Sequence, residues 1–347
     1  MSRIVVITST PPLTEGGHLV IARALVRALE ESGHQAGLLL TAQNRFGRQG
    51  SAYLTNWFTD VGLTGDGERT DQVISLRFPS YAVRHPVHVC WLNHRMREYY
   101  DLWDRFSAGL SAKGRVKESV RRRIVHAVDR RLLTRNVTRL YAQSRTIQAR
   151  LQRWGGIPSE VLYPPPPPRP YRCDEYGDYV FTVSRLVPLK RVSLMVEALT
   201  RPAARHVRLV IAGDGGEAVE LRALAAAFDL DRRVEFLGHV ADDEVVRHLA
   251  RCRAVCFAPV NEDYGFVTVE AFASRKPVVT CHDSGGPVEL VQDGVNGLIV
   301  EPTPDALASA LARLTDDRSL AERLGAAGQA LAADMTWPRA VEKLVIV

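Results

Sequence analysis

The sequence predicts an α/β protein of two doubly wound, Rossmann-like domains that face each other across a cleft. Apolar runs of strand length alternate with helical periods along most of the 347 residues, the pattern of parallel sheets with helical crossovers. Five consecutive prolines at 164–168 break that alternation near its middle, and such a run favours a stiff extended connection over helix or sheet. Glycines and polar residues cluster directly after several strands, where open parallel sheets bind ligands. The expected division is 1–165, 166–336 and a tail at 337–347. That tail is too short for a long crossover helix, and a return toward the first domain stays open.

In chain order, a strand at 4–8 leads into a Pro/Gly loop ending in Gly16 and Gly17, then a helix with apolar positions from Leu19 to Leu29 and a stop at Gly33. Further strands are expected at 35–40, 73–76, 87–92, 139–142 and 160–163, with 44–70 as loop with some local helix and a helix at 146–154. Past the prolines, strands read at 179–183, 207–212, 234–237, 254–258, 277–280 and 297–300. Helices fit between them at 192–199, 217–228, 242–250 and 268–273, with two more from residue 304 onward.

Composition narrows the function classes. A chain with 46% hydrophobic and 24% charged residues is globular rather than disordered. Its five cysteines are an odd number without zinc-ribbon spacing, which fits a reduced, cytosolic protein without structural metal. The opening residues lack the apolar core of a signal peptide, and no stretch approaches the roughly 20 apolar residues of a membrane span. The net charge of +6 is uneven, with thirteen basic residues in 113–153 against only Glu118 and Asp129. Val116, Val120, Ile124, Val128 and Leu132 recur every four residues there, so the segment reads as an amphipathic helix packed by that stripe. Its cations suit an anionic membrane surface or a phosphorylated acceptor.

Three constellations carry chemistry. Arg185 leaves a buried strand and Lys190 opens the next helix, so the pair can neutralise a pyrophosphate without metal. Glu262 and Glu270 flank Tyr264, Gly265, Phe266 and Val267, where free amides at a helix start make an anion site and a carboxylate can accept from vicinal ribose hydroxyls. Gly285 and Gly286, with Glu289 three residues on, allow a tight turn after the next strand.

In that order, with Ser284 and Asp293–Gly294, these residues resemble the donor domain of the family-4 retaining glycosyltransferases, of GT-B fold. The stretches PPLTEGGHLVIARALVRALEESGHQ and QSRTIQARLQRWGGIPSEVLYPPPP are similar to that family's first glycine loop and interdomain approach. The resemblance implies an acceptor-binding first domain and a donor-binding second one. It implies that Arg185 and Lys190 bind the donor diphosphate and that Glu270 holds the ribose. Glu262 and the amides of 264–267 would touch the sugar and distal phosphate, Gly213 the base, and Gly16 and Gly17 the phosphates from the first domain. His94 would reach the sugar near the reacting carbon, with His85 and His88 as alternatives. Arg275 departs from the family, which usually has Gly there.

The expected function is therefore a metal-independent, retaining transferase moving a sugar from a nucleoside-diphosphate sugar to a hydroxyl of a glycan, glycolipid or small molecule. It needs no cofactor and binds no nucleic acid, and it is expected in the cytoplasm or at the inner face of the membrane. The alternative is a basic-helix membrane-surface or nucleic-acid binding protein without catalysis. Asp229-Leu230-Asp231 matches a metal-binding pattern by letter but reads as a turn, and Gly213-Asp214-Gly215 is incomplete as a dinucleotide fingerprint.

Overall fold

The computed structural model describes residues 1–13, 16–44 and 46–347. The chain divides into two compact units, Met1–Pro164 with Trp337–Val347, and Pro165–Thr336. The tail helix Trp337–Leu344 belongs to the first unit. It is held there by Gln72 Nε2 donating to Leu344 O at 2.6 Å and by an edge-to-face contact of Trp337 with Trp91.

The first unit is a parallel sheet of β1 (Arg3–Thr10), β2 (Gln35–Ala42), β3 (Gln72–Ser75), β4 (His88–Leu92), β5 (Arg139–Ala142) and β6 (Glu160–Val161), in spatial order β2-β1-β3-β4-β5-β6. All of β3 and β4 are buried, as strands of a parallel sheet covered on both faces must be. The stretch 44–70, expected as loop with some local helix, contains the helix Gln49–Phe58. Its short period of buried residues, Ala52, Tyr53 and Asn56, is too brief to stand out from the polar sequence around it.

The second unit repeats the plan with β7 (Tyr179–Val183), β8 (Arg208–Ala212), β9 (Val234–Gly238), β10 (Ala254–Cys256), β11 (Val278–Cys281) and β12 (Gly297–Val300), ordered β12-β11-β10-β7-β8-β9. The chain reverses its direction of travel across this sheet between β7 and β10, the kind of point at whose carboxyl edge open parallel sheets form a crevice for ligands. Cys252 and Cys256 are fully buried core residues.

One expectation fails in the basic helix, Ala112–Arg135. Val116, Val120 and Ile124 are exposed, and the buried face is Glu118, Val125, Asp129, Leu132 and Leu133. Each step of four residues overshoots a turn by about 40°, so a four-residue repeat drifts around the helix and cannot keep one face inward. The two acids of the segment are the two that go in. Asp129 is fully buried and accepts from the hydroxyls of Tyr53, Tyr81 and Tyr100, the last at 2.7 Å. Glu118 accepts from Tyr99 at 2.7 Å and from Arg121 at 2.6 Å. Burial pushes the Asp129 carboxyl up, while the Arg95 guanidinium and the three phenols oppose that shift.

All five tryptophans, Trp57, Trp91, Trp103, Trp154 and Trp337, lie in the first unit, so tryptophan fluorescence reports its unfolding. Asp129→Ala strands three buried hydroxyls and should cost about 3–5 kcal/mol. Thermal unfolding followed by that fluorescence should move down by roughly 10 °C; an unchanged midpoint would show that the cluster does not anchor the helix.

Candidate active site

At the carboxyl end of β7 the backbone passes Ser184, whose amide bonds Ala212 O at 3.1 Å, and presents Arg185 in an exposed position. The two cations that follow tie this end to the neighbouring loops. Lys190 Nζ donates to Glu262 Oε2 at 2.6 Å and sits 5.2 Å above the Phe257 ring. Arg191 donates to Ala258 O and Pro259 O, both at 2.9 Å, and grips Asp283 through two bonds of 2.7 Å. Adjacent residues thus fasten the loops after β10 and β11 to the end of β7, directly over the point where the chain reverses.

Those two loops are also zipped to each other. Glu262 N bonds Ser284 O at 2.8 Å and Gly286 N bonds Glu262 O at 2.9 Å. The contact needs glycines: Gly285 has φ +73, and a Cβ there would lie 2.6 Å from Glu262 O, while one on Gly286 would lie 2.5 Å from Tyr264 Cα. Gly265, at φ +86, turns the chain into the helix Phe266–Ala273. The amides of Phe266 and Val267 open that helix and have no acceptor within it. Tyr264 beneath them is buried and packs edge-to-face on Phe266 at 5.0 Å.

Glu270, one turn into the helix, is buried, and its Oε1 accepts from Arg169 Nη1 and from the Tyr171 hydroxyl, the latter at 3.0 Å. Burial pushes this carboxyl above its usual range; Arg169 and Tyr171 pull it down and Asp242 adds to the rise. Gly213, at φ +118 after β8, has its missing side chain filled by the Ser184 carbonyl, which lets the ends of β7 and β8 close on each other.

The structure thus brings Arg185, Lys190, Glu262, Tyr264, Gly265, Phe266, Val267, Glu270 and Gly213 to one edge of the second sheet. The glutamates are held separately, Glu262 by Lys190 and Glu270 by Arg169. Sequence reasoning missed Arg169, Tyr171, Arg191 and Asp283; the available signal was a single cation set between prolines and a second cation beside Lys190. Asp229 and Asp231 lie before β9, at the amino-terminal edge of the same sheet. Arg275 sits at φ +55 just past the helix end, the left-handed conformation that the family's glycine adopts without strain.

In the first unit, Gly16 and Gly17 open the helix Gly17–Glu31, with Leu19 N bonding Gly16 O at 3.0 Å; Thr14 and Glu15 of that loop lie outside the described residues. His94 is half-buried just past β4, its Nδ1 2.7 Å from Arg95 O. His88 is sealed within β4 between Ser75 Oγ and Asn136 O, where burial lowers its pKa to about 4. The ring nitrogens of His85 are engaged by Val87 O and Thr70 O. Of the three histidines, His94 alone stands at the carboxyl end of a strand.

Residues 169–331 match the model of the family described as "Glycosyl transferases group 1". That segment is similar to the group 1 glycosyltransferases. Among curated relatives, the chain is 30% identical over 176 residues to an alpha-1,3/1,6-mannosyltransferase of Homo sapiens, covering 46% of this chain and 42% of that protein. It is 35% identical over 207 residues to a GDP-mannose-dependent alpha-(1-6)-phosphatidylinositol monomannoside mannosyltransferase of Mycobacterium tuberculosis, covering 54% of this chain and 53% of the relative. The matched region therefore spans about half the length of these relatives. The solved structure of HepE from Anabaena with UDP and glucose aligns over 99% of both chains, with a TM-score of 0.70 and 19% identity. Likeness along the whole chain shows the GT-B fold, and the family-matched segment lies within the second unit.

Gly285→Ala tests the zipped loops of that segment. Strain at φ +73 and the clash with Glu262 should cost about 2 kcal/mol or more, lowering the second unit's melting by circular dichroism. A variant as stable as the parent would show that the loops adjust freely.

Proposed function

We propose that the protein transfers a sugar from a nucleoside-diphosphate sugar to an acceptor hydroxyl with retention of configuration. The observation that carries this reading is the convergence of Arg185, Lys190 with Glu262, and the Phe266–Ala273 helix start on the reversal point of the second sheet, inside the family-matched segment. Departure of the diphosphate builds negative charge on the leaving group, and Arg185, Lys190 and the amides of Phe266 and Val267 supply fixed positive charge and donors for it without a divalent ion. Lys190 has three donor hydrogens and spends one on Glu262, so the same ammonium can bridge that carboxylate and a phosphate oxygen. Glu262 then addresses the sugar, Glu270 the ribose and Gly213 the base. In the first unit, Gly16 and Gly17 follow the carboxyl end of β1 and His94 that of β4. Attack on the face from which the diphosphate leaves, with that diphosphate taking the acceptor's proton, needs no covalent intermediate. HepE was solved with UDP and the mycobacterial relative is named for GDP-mannose, so uridine and guanosine donors are the first to test.

UDP, GDP, and their glucose and mannose conjugates, added without metal, should identify one base whose members raise the melting temperature by several degrees, since ligand at 100 times Kd contributes about 2.7 kcal/mol. Arg185→Ala and Glu270→Ala should abolish the shift, and Arg185→Ala should lower kcat/KM by about 100-fold or more. A folded protein that none of these ligands stabilises would refute a donor-binding transferase.

The acceptor is read from the basic helix. With both of its acids turned inward, the outer face presents Lys113, Arg115, Lys117 and Arg123 around the exposed Val116, Val120 and Ile124. Cations flanking an aliphatic stripe suit the surface of an anionic bilayer at the inner face of a membrane, and so a lipid-linked acceptor. No helix among the described residues is long and apolar enough to cross a membrane. Vesicles containing phosphatidylglycerol should sediment the protein at low salt and release it at high salt. Replacing Arg115, Lys117 and Arg123 with Gln should weaken binding by about 100-fold, at roughly 1 kcal/mol per cation. Equal partition with and without the anionic lipid would favour a soluble acceptor.

A further inference from the structure

Both hydrogen bonds to the Glu270 carboxylate land on one oxygen. Arg169 Nη1 and the Tyr171 hydroxyl donate to Oε1, and no described residue donates to Oε2. Arg169 also reaches the first turn of the helix Asp242–Arg251, where its Nη2 donates to Asp242 Oδ1 at 2.7 Å. Its own backbone lies between Pro168 and Pro170, whose rings restrict the chain on both sides. A planar guanidinium bonded to two carboxylates, on a segment stiffened by proline, is held in orientation as well as in position.

We propose that Arg169 is a positioning residue for the ribose of the nucleoside diphosphate: together with Tyr171 it pins Oε1 of Glu270 and leaves Oε2 as the acceptor for the ribose hydroxyls. This rests on the reading of Glu270 as the ribose-binding carboxylate. The segment between the proline run and β7 is then part of the donor site, although it carries none of the glycine or helix-start features of the other loops. Charge supports the same role. The groups acting on Glu270 are Arg169, Tyr171 and Asp242, and burial already drives the carboxyl toward its protonated form. Without Arg169, burial and Asp242 are opposed only by Tyr171, so the carboxylate needed as acceptor is lost sooner as pH falls.

The test is calorimetric titration of the full chain with UDP, GDP and their 2′-deoxy counterparts, at about pH 6 and about pH 8. The parent protein should prefer one ribonucleotide over its deoxy form by about tenfold or more, the effect of one hydrogen bond to a charged group. Arg169→Ala should lose most of that preference, bind the deoxynucleotide nearly unchanged, and bind the ribonucleotide more weakly at the lower pH than at the higher. Arg169→Lys should recover part of the preference, and Tyr171→Phe should lose a smaller part; melting without ligand confirms that each variant is folded. Arg169→Ala binding the ribonucleotide as tightly as the parent, or more tightly, would overturn the proposal, because the arginine would then be idle or a competitor for Glu270. Failure of the underlying reading looks different: Glu270→Ala would keep the ribose preference, or the folded parent would bind none of the four nucleotides, and either result removes the role of Arg169 as well.

Discussion

The ion pair between Lys190 and Glu262 is the contact on which the arrangement of the second unit's edge depends. It spans the two strands between which the chain reverses, β7 and β10, and with the neighbouring Arg191–Asp283 pair it draws three loops onto one spot. Each loop alone would be an ordinary exposed connection. Fastened together, they present a guanidinium, an ammonium, a helix start and two carboxylates within one edge. The glycines belong to the same constraint, since the backbone bonds of Glu262 with Ser284 and Gly286 form only if no Cβ stands at Gly285 or Gly286.

A second physical theme recurs in both units. A carboxylate removed from water is costly unless donors replace its hydration. Asp129 meets this requirement with three phenols beside Arg95, and Glu270 with one phenol and Arg169. The difference between them matters. Both oxygens of Asp129 are taken, so the group works as an anchor for a helix. One oxygen of Glu270 is taken, so the group keeps an acceptor to offer.

That contrast also marks where sequence reasoning reached and where it stopped. The strands of both sheets were legible, because periodicity and the placement of glycine and proline are local signals. The basic helix was legible as a helix but not in its facing: a four-residue repeat of aliphatic residues looked like a core stripe, yet helical geometry carries Val116 and Leu132 to nearly opposite sides. Arg169 and Tyr171 were hidden for a different reason. They stand about a hundred residues from Glu270 in the chain, and no local pattern announces a partner at that separation.

By itself, the sequence determined two parallel α/β units and the chemical types gathered at their strand ends, since alternating periods, proline stiffness and glycine permissiveness act over a few residues at a time. Only the tertiary structure decided which charge meets which: Lys190 with Glu262, Arg191 with Asp283, Arg169 with Glu270, and the two acids of a basic helix turned inward to buried tyrosines. Ion pairs and buried hydrogen bonds form between atoms a few ångströms apart, and that proximity is a property of the folded sheet order rather than of any segment read alone.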